Sequence, residues 1–424
     1  MITLFIKPFN KNILPVYCPL HIPRSFTFEV NKMSPIKQLF LLNAVCMTAM
    51  MAVIPVIGPI IREIGLMEWH GGLVVAISGI TWLLSAKKWG EASDNKGRKP
   101  LLLLATFGYG VSFLLMTIWL DMSLQGSFNT LVILVGLILV RALVGLFLAA
   151  ITPISNALVA DITLADQRQA AMATIGAASA IGLVAGPAIG GGLSQYSLTL
   201  PLYVLSSLPL LAWLLIKLRL PETKAAQQAP DQPISFFDPR LRFAALAMFA
   251  CMFAVLTAQI IIGFLVLDRI RDTPESAAQL AGIVLAITGV TLGITQGLVA
   301  QIKHNLLLKS LMAGPIAASA GLLTIALAHS AVVLIVGYML LAIGLALLFP
   351  AIQAMAANAV NQDEQGAAAG TISAIQGLCS ILAPLVATIL YQAHPGLPYW
   401  TAAVLMAALW LSVLIQQAKF SENK

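Results

Sequence analysis

Hydrophobic and polar positions in this chain fall in long blocks. Apolar runs occupy about 37–61, 71–89, 100–120, 130–155, 170–193 and 199–217, then about 241–267, 277–300, 305–328, 331–357, 367–391 and 397–416. Each is about as long as the stretch of ~20 residues that a helix needs to cross a hydrocarbon layer. In lipid the backbone must satisfy its own hydrogen bonds, so runs of this length form α-helices. The pattern predicts an all-α membrane protein with about twelve transmembrane helices in two six-helix halves. One long polar break, 218–240, contains Pro221, Glu222, Lys224, Pro230, Asp231 and Pro233 and reads as a flexible linker. The expected boundaries are an extension at 1–33, a first half at 34–217, this linker, a second half at 241–416 and a tail at 417–424.

Composition sharpens the picture. Only 10% of the 424 residues are charged and 59% are hydrophobic, with a mean hydropathy of +0.92. A soluble domain carries roughly 25% charged residues, so lipid must solvate most of this one. The net charge of +7 follows the excess of Lys and Arg expected in cytoplasmic loops. Lys37, Lys87, Lys88, Lys96, Arg98, Lys99, Arg168, Lys217, Arg219, Arg240, Arg242 and Lys309 fall on one side, against Arg62, Arg269 and Arg271 on the other. Both termini are therefore expected in the cytoplasm, in a bacterial inner membrane. No aromatic residues interleave with the basic ones, which excludes nucleic acid as a partner. Cys18, Cys46, Cys251 and Cys379 lack metal-ligand spacing, so neither a metal site nor a disulfide frame is expected. The absence of HExxH, GxSxG and P-loop motifs argues against an enzyme and against ATP-driven transport, and no cofactor is expected. Residues 1–33 do not form a signal peptide. They read either as a tail or as sequence upstream of a start at Met33.

The halves repeat. A shift of 197 residues carries Pro153 onto Pro350, Asp166 onto Asp363, Thr174 onto Thr371, Ile175 onto Ile372 and Pro187 onto Pro384. Chance matching of apolar residues would not align prolines, a threonine and an aspartate together. Such a duplication is the mark of a transporter built from two parallel, pseudo-symmetric halves.

Between the second and third runs stands Gly90-Glu91-Ala92-Ser93-Asp94-Asn95-Lys96-Gly97-Arg98-Lys99-Pro100. Gly90 suits close helix approach, Gly97 suits a tight turn, Asp94 suits pairing with a cation, and Arg98 and Lys99 suit anionic headgroups. This loop resembles the signature loop of the major facilitator superfamily. Arg141 and Gly145, one helical turn apart, resemble that family's Arg-x-x-x-Gly element. An intramembrane Arg must face protein or a cavity, where it is either structural or coupled to gating. Gly182-Leu183-Val184-Ala185-Gly186-Pro187-Ala188-Ile189-Gly190-Gly191 resembles an element of the drug:proton antiporter branch, which implies export. Gly182, Gly186 and Gly190 form one helical stripe, Pro187 permits a bend, and Gly289, Gly293 and Gly297 form a second stripe. The resemblance implies that these two helices face each other across the halves. It also implies a cytoplasmic charge network of Asp94, Arg98, Asp161 and Arg168. The second half departs from the pattern: the loop after its second run keeps Gly297 but has Gln301 in place of the acid, and Tyr338 stands at the register position of Arg141, so the charge network is expected on one side only.

Candidates to line a central cavity are Asn43, Asn156, Gln259, Gln296, Gln353 and Gln376, each equally suited to interhelical hydrogen bonding. Lys87 and Lys88 either snorkel to headgroups or attract an anionic substrate. No carboxylate stands mid-membrane in the first half, so the proton-carrying residue stays open. The resulting expectation is a secondary active transporter, not an enzyme, that exports a small molecule by alternating access, coupled to protons. It is expected to be monomeric and lipid-solvated. The alternatives are export of an anionic metabolite or siderophore, or a non-transporting receptor or polytopic enzyme.

Overall fold

The structure, a computed structural model, describes residues 33–126, 128–163, 167–220, 238–301, 307–361 and 364–422. The extension up to residue 32, linker residues 221–237, Asp166, Asp363 and the loop 302–306 lie outside the described residues. The first half comprises α1 (Pro35–Glu63), α2 (Glu68–Lys96), α3 (Arg98–Leu124), α4 (Thr130–Ile162), α5 (Arg168–Ser194) and α6 (Leu200–Arg219). After a short 3-10 turn at Pro239–Leu241, the second comprises α7 (Arg242–Arg269), α8 (Pro274–Gln301), α9 (Leu307–Ala326), α10 (Ala331–Asn358), α11 (Gln365–Ala393) and α12 (Leu397–Glu422). All twelve are long and apolar enough to cross a membrane.

Local chemistry explains the helix ends. Pro35 opens α1 in its first turn, where no intrahelical N–H bond is lost. Asn129 caps α4, its side chain accepting from the Val132 N–H at 2.9 Å. α2 and α4 outrun their apolar blocks and carry Asp94 and Asp161 at their far ends. Helix α12 continues past residue 416 to Glu422.

Pro153 and Pro350 lie inside α4 and α10, and Pro187 and Pro384 inside α5 and α11. Each pair is six helices apart, so the 197-residue register is an architectural repeat. Within the halves, α1 packs on α5, α2 on α4, α9 on α10 and α7 on α11. Small residues set the closest of these approaches. A Cβ on Gly344 of α10 would stand 2.5 Å from the backbone nitrogen of Ala318 on α9. Large apolar side chains such as Leu131, Leu139, Val332 and Leu411 point outward, as a lipid-solvated surface requires.

Across the halves, α5 meets α8 and α2 meets α11, with α1 against α7 and α8. These contacts close one end of the molecule. There Arg62 of α1 pairs with Asp268 of α7 at 3.0 Å and with Glu68 of α2 at 2.5 Å. Tyr391 of α11 donates to Asp268 at 2.7 Å, and Gln392 to Glu68 at 3.2 Å. At the opposite end, Gly90 on α2, Gly176 on α5, Gly293 and Gly297 on α8 and Gly370 on α11 have no described atom within 4 Å of where a Cβ would stand. The two halves are joined at the α1–α2 end and parted at the α2–α3 end.

Candidate functional site

Between the halves lies a cavity of about 460 Å³. The face of α1 contributes Met47, Met50 and Met51, and α2 adds Ser78 and Trp82. Helix α4 supplies Arg141, Gly145 and Thr152, while the second half supplies Gln259 from α7 and Gln376 and Ser380 from α11. The lining is mostly apolar, with polar groups spaced around it, and among the described residues no Asp or Glu belongs to it. Methionine's flexible, polarisable thioether adapts to ligands of different shape. The volume falls in the range of roughly 300–1,000 Å³ typical of small-molecule sites.

Arg141 has a side chain only 2% exposed. Its one hydrogen bond runs from Nη1 to the thioether sulfur of Met116 at 3.8 Å, and its Nε has no partner. Gly145, one turn on, has a structural task. A Cβ there would collide with the Ser78 carbonyl and the Thr81 hydroxyl, so glycine lets α2 lie directly on α4. That approach brings the Ser78 hydroxyl to the Arg141 carbonyl at 3.0 Å.

Of the six polar candidates, Gln259 and Gln376 line the cavity, and Asn43, Asn156, Gln296 and Gln353 do not. Asn43 is fully buried as a tie between helices. Its amide donates to Ser155 at 2.9 Å and accepts from Thr152 at 3.0 Å, which fastens α1 to α4. Lys87 and Lys88 are both exposed and off the cavity. Lys87, with its side chain 87% exposed, stands 3.7 Å from Glu91. Tyr338, at the register position of Arg141, is neutral and satisfied by the Ala258 carbonyl at 2.6 Å.

The signature loop forms a three-helix knot within the first half. Gly97 takes a φ of +92°, a left-handed turn that glycine accommodates, and so turns the chain from α2 into α3. Arg98, its side chain 2% exposed, bonds Asp161 of α4 at 3.1 Å and Ser93 at 2.7 Å, and pairs with Asp94. Ser93 in turn donates to the Gly90 carbonyl at 2.8 Å. Two expectations change. Gly90 makes no close helix contact and enters the network through its carbonyl instead. Arg168 pairs with no carboxylate among the described residues and donates to the Ala160 carbonyl at 3.1 Å, closing the end of α4. The second half has its own cluster, which the sequence did not reveal. Arg240 bridges Glu364 at 2.9 Å and Asp238 at 2.8 Å, holding α7 to the start of α11. Hydrogen bonds from Arg240 hold both carboxyls below their ordinary pKa.

The glycine stripes do not face each other. Gly182, Gly186 and Gly190 all turn toward α1, against Met47, Met51 and Ala52. The seam with α8 uses the adjoining face of α5. A Cβ on Gly282 would stand 2.5 Å from both the Gly191 Cα and the Pro187 carbonyl, and Gly289 faces Val184. The pseudo-symmetric copy joins α2 to α11, where a Cβ on Gly72 would meet the Pro384 carbonyl at 2.6 Å. Gly72 and Gly282 were the unrecognised residues, and Gly191 was seen only as part of the α5 motif. The signal available was the proline pair, with a glycine on the facing helix in each half. Gly186→Leu is accordingly expected to act within the first half. It would drive a side chain into Met51 and the Thr48 carbonyl, only 2.6 and 2.7 Å from a Cβ. Overpacking of this kind costs about 1–3 kcal/mol. A lowered thermal midpoint of the detergent-solubilised protein is expected, and an unchanged midpoint would contradict this packing.

Two parallel six-helix halves, joined at one end around a shared cavity, define a membrane transporter of the rocking, alternating-access class. The model of the Major Facilitator Superfamily matches residues 39–384 and 276–419, and the chain belongs to that family. It is 27% identical over 379 residues to the class C tetracycline resistance protein of Escherichia coli, covering 85% of this chain and 91% of that one. It is 26% identical over 368 residues to multidrug resistance protein 1 of Bacillus subtilis (strain 168), covering 84% and 89%. Among solved structures, the human organic anion transporter MFSD10 (TETRAN) superposes with a TM-score of 0.62 at 19% identity, over 89% of this chain and 98% of that one. The chain is thus a multi-pass inner-membrane transporter of a small molecule, and not an enzyme.

Proposed function

We propose that the chain exports drug-like amphipathic compounds from the cytoplasm in exchange for protons. The observation that carries this reading is the methionine-rich cavity of about 460 Å³ shared by both halves. A flexible apolar wall with a few hydrogen-bonding amides favours solutes by size and amphipathic character over one exact shape. The resemblance to resistance proteins along most of the chain supports the export direction.

The parted end carries the basic α2–α3 loop, so under the positive-inside rule this conformation opens to the cytoplasm. Substrate would enter there, and parting of the Arg62–Asp268 end would release it outside. Among the described residues the cavity lining holds no carboxylate. Asp268 ion-pairs one half to the other at the end opposite the basic loop. A single chain encloses the cavity, which supports a monomer as the working unit, with lipid against its outward leucines.

Two measurements test the reading. Expressed in a drug-hypersensitive bacterium, the chain is expected to raise the tolerated concentration of tetracycline or another amphipathic antibiotic, and a protonophore should erase the gain. Unchanged susceptibility to every compound tried at confirmed membrane expression would remove the proposal. Reporter fusions after residues 95 and 228 should read cytoplasmic, and one after residue 272 external. A cytoplasmic signal at 272 would invert the assigned direction.

A further inference from the structure

Resting on the export reading above, we infer that the cavity selects amphipathic organic monoanions, carboxylates or sulfonates on an apolar body, with Arg141 as the residue that binds the anionic group. The inference starts from an unbalanced charge. Arg141 lines the cavity, yet its side chain is 2% exposed. Its Nε has no partner and Nη1 reaches only the Met116 thioether at 3.8 Å. A guanidinium has five N–H donors and is always charged. A buried cation is ordinarily paired with an anion or saturated with hydrogen bonds.

No neighbouring group among the described residues supplies that balance. Tyr109 on α3 donates its hydroxyl to the Cys46 carbonyl at 3.1 Å. Asp121 accepts from Thr199 and Tyr203, Asp268 pairs with Arg62, and Asp161 with Arg98. None of these acids lines the cavity. The pseudo-symmetric position is the neutral Tyr338, so the second half adds neither a second cation nor a counter-ion. The cavity therefore holds one unit of positive charge inside a low-dielectric wall. A lipophilic cation entering it meets repulsion with no carboxylate to offset it. An anion meets a planar fork of donors suited to a bidentate charge-assisted bond. Met47, Met50, Met51 and Trp82 receive the apolar body, and the amides of Gln259 and Gln376 face it from the other half. One cation sets the preferred charge at one.

The test uses the full chain, purified and reconstituted in phosphatidylcholine, with three fluorescent probes: dansylglycine (a carboxylate), its neutral amide dansylglycinamide, and the cation ethidium. Binding is followed by energy transfer from tryptophan to dansyl or by ethidium emission, and export by counterflow. Dansylglycine is expected to bind about tenfold or more tightly than its amide, the scale of one hydrogen bond to a charged group. In Arg141→Gln the two dansyl probes should bind alike, and Arg141→Lys should keep part of the preference. Arg141→Gln is also expected to melt no lower than the parent, because it loses an unpaired buried charge, whereas a purely structural arginine would leave a weaker fold. Equal affinity for acid and amide in the parent protein would overturn the inference, even if the variants failed to fold. So would a preference that survives in Arg141→Gln. Loss of dansylglycine export on adding phosphatidylglycerol would assign Arg141 to a lipid headgroup and overturn it as well. Transport of ethidium with exclusion of dansylglycine would overturn it while leaving the export reading intact. Failure to move any of the three would remove both.

Discussion

Arg98→Ala is expected to abolish transport while leaving the chain in the membrane. Arg98 is buried where α2, α3 and α4 converge, and the carboxylate it bonds on α4, Asp161, is itself only 5% exposed. Removing the guanidinium leaves that carboxylate without its cation in a dry site. Breaking a buried pair from one side typically costs about 3–5 kcal/mol. The twelve-span fold rests on far more lipid-facing and interhelical area than this and should persist. The local arrangement of the three helix ends, which Arg98 ties together, should not. Asp94→Asn is expected to do much less. Asp94 is 56% exposed, and solvent already screens its share of the pair. Solute export at matched membrane expression checks both. Equal activity of Arg98→Ala and the parent, or equal loss in the two variants, would show that burial of the guanidinium does not set the effect.

Gly282→Leu is expected to trap the transporter with its α1–α2 end parted. In the closed seam a Cβ at position 282 would be 2.5 Å from the Gly191 Cα and 2.9 Å from its nitrogen. Backbone on the opposing helix cannot step aside as a flexible side chain can. An overpacking cost of about 1–3 kcal/mol, felt only when this end is closed, shifts the balance by about 5- to 150-fold toward the opposite conformation. Export should fall accordingly. A cysteine introduced at Ile57, which lines the cavity and is 3% exposed, should then react with an impermeant thiol reagent added from outside. Without Gly282→Leu it should be protected from that side. Protection in both would place the α5–α8 contact elsewhere in the cycle.

The twelve helices, their division into halves and the repeat were all legible, because block length and the proline register are properties of a single strand of text. The partner of each helix face was not. Gly182, Gly186 and Gly190 announce a smooth stripe, but a smooth stripe packs equally well on any neighbour in lipid, and here the neighbour is α1. Asn43 illustrates the same limit. Its amide marks a polar need, yet Ser155 and Thr152 on α4 meet that need before a substrate can. Lys87 and Lys88 sit close in sequence to the signature loop, but the helical turn carries them to the exposed face. Arg141 stood out from the text as an intramembrane cation. That it has almost no partner was visible only once α3 and α4 were brought together around it.

The central claim is that the two halves export a solute through this cavity at the expense of a proton gradient. Purified protein in sealed proteoliposomes tests it most directly, with an imposed pH difference as the only energy source. Dansylglycine, its amide and ethidium serve as probes of the three charge classes. At least one should accumulate against its own gradient when the compartment receiving it is acidic, and a protonophore should collapse that accumulation at once. Movement of every probe that ignores the pH difference, or no movement of any, would contradict the account.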